Sequence, residues 1–289
     1  MIDYMTKIIN DSLPIWDECI KTPFIQGLIK GDLTEEQITK YIVEDTRYLL
    51  NYAKCYAYLI TKCNTLEEIR MYYDILSFVK EGETSVRRAF LAKRGLKDYD
   101  VETSIPDIEN QIYIDSMMHW SSNGSIVEGT MAILPCMLSY GYIFNKLYKE
   151  NPNMLDNNPF KDILEGYIGS EMEAWCKEWA NFGNVLMNTY PNSFEKCQSI
   201  FRFSSLRELE SHLYNEEIIP FYKYIEMHLI DENIVNNKFV TGNYRVVYAL
   251  LDQNNITFEY TININIKAQK LSLLDQIKKF IFKLFNKFM

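Results

Sequence analysis

From its start to about residue 237 the chain shows almost no strand alternation, and its apolar side chains recur instead at spacings of three and four. That commits the larger part to helices with short connections, seven or so of them, and helices with one apolar face pack as an all-α bundle. A first helix reads from Tyr4 to Cys19, and a linker with apolar contacts of its own spans Thr22 to Leu33. Thr34-Glu35-Glu36-Gln37 is a capping box that opens a long helix through Ile60, with Asp45 and Tyr48 on one face. Further helices read over Leu66 to Leu91, Asp107 to His119 (carrying Tyr113), the stretch after Asn123-Gly124-Ser125 (carrying Glu128, Cys136 and Tyr140), Phe160 to Phe182 (carrying Tyr167) and Ser193 to Ile230 (carrying Glu208 and His212). With 11 glycines against 21 tyrosines, many tight turns are disfavoured and phenols are at hand for a pocket.

Within that frame the run Met131 to Tyr140 is the most informative. Pro135 inside a helix lacks an N–H and crowds the preceding turn, so the helix bends where Cys136 turns inward, with Tyr140 one turn on. A lone thiol there is read either as a nucleophile or as one more small buried apolar residue. Asp45 on an aromatic helix side demands a partner, or else lies at a solvated edge.

Charge and cysteine usage narrow the class. A formal charge of −9 lacks the basic face that phosphate backbones need, which excludes a general nucleic-acid role. Six cysteines without a Cys-x-x-Cys suit reduced thiols in a cytoplasmic protein. The N-terminal Met1-Ile2-Asp3-Tyr4-Met5 lacks the order of a signal peptide, and no apolar run reaches the ~18 to 20 residues of a membrane span.

The C-terminal part, 237–289, is a separate extension of the helical domain, 1–232. Alternation from about 239 to 266, broken at Asp252-Gln253-Asn254-Asn255, predicts a β-hairpin that must dock to be stable. Residues from about 271 to 288 form an amphipathic helix, with Leu274, Ile277, Ile281, Leu284, Phe285 and Phe288 opposite Lys279, Lys283 and Lys287. From Lys267 onward six lysines face one aspartate, a charge of +5 against −14 for the rest. Two readings fit this helix: docking on the protein or on a neighbouring subunit, and peripheral membrane contact.

Several motifs in this order resemble the TenA (thiaminase II, aminopyrimidine aminohydrolase) family. They are Pro23-Phe24-Ile25-Gln26-Gly27-Leu28, Gly31-Asp32-Leu33, Tyr41 through Leu49 around Glu44-Asp45, and Leu134-Pro135-Cys136 between Glu128 and Tyr140. The resemblance covers roughly residues 4 to 230 and implies the haem-oxygenase-like helical fold. It implies hydrolytic release of hydroxymethylpyrimidine from aminomethylpyrimidine or thiamin, without cofactor or metal, in a homo-oligomer. By it Cys136 is the nucleophile and Glu208 the proton donor. Asp45 takes the pyrimidine's amino edge, Tyr48 orients Glu208, Tyr140 lies beside Cys136, and Tyr113 and Tyr167 line the pocket. The types suit the chemistry: a carboxylate accepts from the amino edge, phenols cover a flat ring, and addition to that ring needs a nucleophile with a proton donor.

The sequence departs from the family pattern at Ser211-His212, where Phe-Trp is usual after the glutamate, and at Thr22, where a histidine is usual. A di-iron site fits poorly, since Glu208 and His212 stand four apart rather than three and only His119 and His228 remain. A catalytically divergent TenA-like protein that binds a pyrimidine, or serves as a scaffold, is the alternative reading.

Overall fold

The computed structural model describes residues 2–76, 83–104 and 106–212, and beyond them the strand segments 227–229, 234–235, 238–239, 242–251 and 257–266. Its helices in chain order are α1 (Tyr4–Lys21), α2 (Pro23–Lys30), α3 (Glu35–Ile60), α4 (Leu66–Leu76), α5 (Glu83–Lys93), α6 (Asp98–Glu102), α7 (Ile108–Asn123), α8 (Ile126–Glu150), α9 (Lys161–Leu164), α10 (Ser170–Thr189) and α11 (Phe194–Ser211). The caps explain most of the starts. Thr34 and Gln37 close a capping box on α3, and Ser125 and Glu128 close another on α8.

Four segments differ from the sequence expectation, the first being the stretch from Gly95 to Pro106, which reads as a loop but holds the short helix α6. The linker after Thr22 is helix α2: Thr22 accepts from the Ile25 N–H, Pro23 occupies the first turn, and Gly31 ends it at φ 72°. Those are the ordinary start and stop residues of a short helix. Tyr167 lies not in a long helix but in a 3-10 turn, Glu165–Tyr167, and α10 begins only after Gly169, whose φ of 102° breaks helical continuity. The last helix stops at Ser211, and Met227–Leu229, expected to be helical, is a strand. The helix read over Leu66 to Leu91 is described as α4 and α5, and 77–82 lie outside the described residues.

Helix α8 is the centre of the bundle, packed against α11, α10, α7, α1 and α3. By length and hydropathy it could cross a membrane, although Ser139, Gly141 and Asn145 interrupt its apolar run. In the structure 83% of its most apolar window is buried inside the protein. Gly129 lets it approach α7: a Cβ there would stand 3.0 Å from the Cα of Ser121. Around Pro135 the carbonyls of the preceding turn are taken up by side chains. The Tyr52 hydroxyl donates to the Ile133 carbonyl at 3.2 Å, and Ser204 donates to that of Ala132 at 2.8 Å.

Contacts divide the chain into two units, 1–215 and 216–289. In the second, β4 (Gly242–Leu251) and β5 (Thr257–Ile266) pair antiparallel, from Gly242 opposite Ile266 to Leu251 opposite Thr257, which is the expected hairpin. Strand β1 (Met227–Leu229) joins the other edge of β4, with Met227 opposite Tyr248, and this pairing overturns the helical reading. The short strands β2 (Ile234–Val235) and β3 (Lys238–Phe239) pair with each other. The amphipathic helix read over 271–288 lies outside the described residues.

Candidate active site

Four helices and one turn deliver the candidate residues to the interior of the bundle. Asp45 and Tyr48 come from α3, Tyr113 from α7, Cys136 and Tyr140 from α8 and Glu208 from the end of α11, while Tyr167 comes from the turn before α10. Tyr48, Tyr113, Tyr140 and Glu208 are buried, and Cys136 is half-buried. Burial above all, and then the neighbouring Cys136, Tyr113 and Glu208, hold the Tyr48 phenol well above its usual range. Burial does the same to Tyr113, beside Glu208 and Cys136, and to Tyr140, beside Tyr41, Glu208, Tyr167 and Asp45. These mutual influences place all seven candidates in one cluster whose phenols stay neutral.

Glu208 is the group whose acidity changes most usefully. Burial raises its carboxyl to about 8; the Tyr113 hydrogen bond opposes the rise and the charge of Asp45 adds to it. A carboxyl held there is protonated at neutral pH and able to give a proton away. Its described hydrogen-bond donor is Tyr113, 2.5 Å from Oε1, not Tyr48, to which the resemblance assigned that task. The Tyr48 hydroxyl donates to Met117 Sδ at 3.3 Å, and its ring lies 5.1 Å from that of Tyr113.

Asp45 has a partner, as its position demanded. Arg87 of α5 directs Nε, at 3.1 Å, and Nη2 onto Asp45 Oδ2. Spacing could not reveal this, because the two residues are 42 apart on different helices.

A second polar chain adjoins the cluster. The Tyr140 hydroxyl lies 3.0 Å from His212 Nε2 and 3.3 Å from the Tyr41 hydroxyl. The His212 ring is fully buried and stacked on Phe24 at 5.4 Å, and burial lowers it to about 3, so it is neutral. The departure at His212 thus sets a polar side chain against Tyr140, and its Nδ1 is buried without a hydrogen-bond partner among the described residues. Thr22, the other departure, is consumed by capping α2. Glu128 is likewise structural, bonded within its capping box and paired with Lys196 at 2.6 Å.

The turn bearing Tyr167 is held from α8. Asn145 Nδ2 donates to the Tyr167 carbonyl at 3.2 Å and Oδ1 accepts from the Gly169 N–H at 2.9 Å. This sets the Tyr167 ring 4.8 Å from that of Tyr140. Among the described residues no three His, Cys, Asp or Glu side chains group as a metal site would require.

The structure is thus a helical bundle with a thiol, two carboxylates and neutral phenols gathered in its interior. Over residues 10–210 the chain matches the TENA/THI-4/PQQC family, and it belongs to that family. It is 28% identical over 189 residues to an aminopyrimidine aminohydrolase of Helicobacter pylori, covering 65% of this chain and 86% of the relative. It is 25% identical over 172 residues to one of Halalkalibacterium halodurans, covering 60% and 76%. Among solved structures, a TenA homologue from P. horikoshii shares the fold at a TM-score of 0.62 and 23% identity, over 73% of this chain and 97% of that one.

Proposed function

We propose that this protein is an aminopyrimidine aminohydrolase of the thiaminase II type, releasing hydroxymethylpyrimidine from aminomethylpyrimidine or from thiamin. The observation that carries the reading is the convergence of Cys136, Asp45 and a Glu208 held at about 8 in one buried, phenol-lined cluster. The relatives of that name support it.

The chemistry follows from what each group can do. Asp45 accepts from the amino edge of the ring, and tyrosines cover its faces. The Cys136 sulfur gives up its proton and bonds to a ring carbon as Glu208 gives its proton to a ring nitrogen, which breaks aromaticity and lets the amine or thiazole depart from the methylene with its electron pair; the thiol's proton passes to the departing amine or, where thiazole leaves, to solvent. Water then adds to the methylene carbon, its proton returns to the Glu208 carboxylate, and the carbon–sulfur bond breaks as the ring nitrogen's proton passes to the sulfur, restoring the ring and the thiol. The net reaction consumes water alone.

Incubating the purified full chain separately with aminomethylpyrimidine and thiamin, and following the pyrimidine alcohol by chromatography, tests this. Product from either supports the reading; no product from either overturns it.

A further inference from the structure

Arg87 brings a permanent charge into the interior of the bundle, where it is buried. Two of its donors converge on a single oxygen of Asp45, which pins that oxygen and joins α5 to α3. A guanidinium fork of this kind fixes a carboxylate's place as well as offsetting its charge. Asp45 is also close enough to Glu208 and Tyr140 to act on both. Whatever Arg87 does to Asp45 is therefore felt at the proton donor. We propose that Arg87 is a positioning residue of the substrate site, holding Asp45 where the pyrimidine's amino edge meets it and offsetting the Asp45 charge beside Glu208. The inference rests on the aminopyrimidine reading above.

The groups facing Glu208 are Tyr113 from α7, Tyr48 and Asp45 from α3, Tyr140 from α8 and Cys19 from α1, with neutral His212 one turn along on its own segment. Asp45 is the carboxylate among these described neighbours. Without the Arg87 charge its field on Glu208 grows, and Glu208 keeps its proton to higher pH. A purely structural tie between α5 and α3 would leave that pH unchanged.

The test uses the full chain and its Arg87→Met and Arg87→Lys variants. Hydroxymethylpyrimidine binding is measured by calorimetry, and kcat/KM is followed across the alkaline limb set by Glu208. Arg87→Met should weaken binding about tenfold or more and move the limb upward by roughly half a pH unit or more. Arg87→Lys, which keeps the charge but loses the fork, should leave the limb in place and recover part of the binding. Arg87→Met binding within about twofold of wild type, or an unmoved limb, overturns the proposal whatever the thermal stability. If Arg87→Met does not fold, Arg87→Gln, neutral but still able to donate hydrogen bonds, takes its place: a limb moved upward supports the proposal, and an unmoved limb overturns it. A wild-type protein that neither binds nor turns over a pyrimidine defeats the functional reading itself, whereas an active wild type with an unaffected Arg87→Met defeats only the role of Arg87.

Discussion

Glu208 and His212 stand one turn apart, and the same burial moves them in opposite directions, to about 8 and about 3. The consequences for stability have opposite signs. Between about pH 4.5 and 8 the unfolded chain has released the Glu208 proton that the folded protein keeps, so this contribution falls as pH rises. Between about pH 6.5 and 3 the unfolded chain binds a proton that His212 refuses in the fold, so stability is lost as pH falls. In urea titrations Glu208→Gln should gain stability relative to wild type as pH rises from 4.5 to 8, and His212→Phe as pH falls below 6.5, each by on the order of a few kcal/mol at the extreme. Parallel curves for wild type and variant would contradict the burial of that group. Division of labour is testable in the same cluster. Cys136→Ser should lower kcat by about a thousandfold or more with pyrimidine affinity retained, whereas Asp45→Asn should act mainly on affinity; calorimetry beside turnover separates the two. All seven side chains of this cluster were legible as candidates in the sequence. Their pairing was not, because Arg87 with Asp45, and Tyr113 rather than Tyr48 with Glu208, are contacts between helices that no local spacing encodes.

The helices carry these groups to within hydrogen-bonding distance, and their ends and bends decide the last ångströms. Hydroxyls from α3 and α11 hold the turn before Pro135, so the direction of the Cys136 thiol depends on Tyr52 and Ser204 as much as on α8 itself. Asn145 does the same for Tyr167. Asn145→Ala releases the Tyr167 carbonyl and the Gly169 N–H together, and should cost about 1–3 kcal/mol in chemical denaturation. It should also raise KM more than it lowers kcat, because it frees a wall rather than a reacting group; equal loss in both would argue that Tyr167 takes part in the chemistry. Periodicity and capping boxes made α3 and α8 readable in advance, since their signals are local. Helix α2 carried equally local signals in Thr22-Pro23 and Gly31, but its eight residues are too few for a period to stand out. The strand Met227–Leu229 was unreadable for the opposite reason: it is defined by β4, which lies some fifteen residues further on.

The folded protein divides its charge unevenly, −14 before Lys267 and +5 after it. Sedimentation with anionic vesicles separates the two readings of that basic segment. If it lies on membranes, the full chain pellets at low salt and is released at high salt, and a chain ending at Ile266 stays in solution. If it docks on protein, neither pellets, and the shortened chain melts earlier or changes its oligomer size. Among the described residues the helix long and apolar enough to cross a membrane is α8; α7, α1 and α3 cover part of it, and the rest of its cover comes from α10 and α11, which are later in the chain. During translation α8 is complete while the residues up to Ser211 have yet to be made. At roughly 5–20 residues per second that interval lasts several seconds. For those seconds the nascent chain offers the ribosome's exit a segment that machinery reading hydropathy alone would treat as a membrane anchor. The helix that holds Cys136 therefore depends on timely synthesis of the helices behind it.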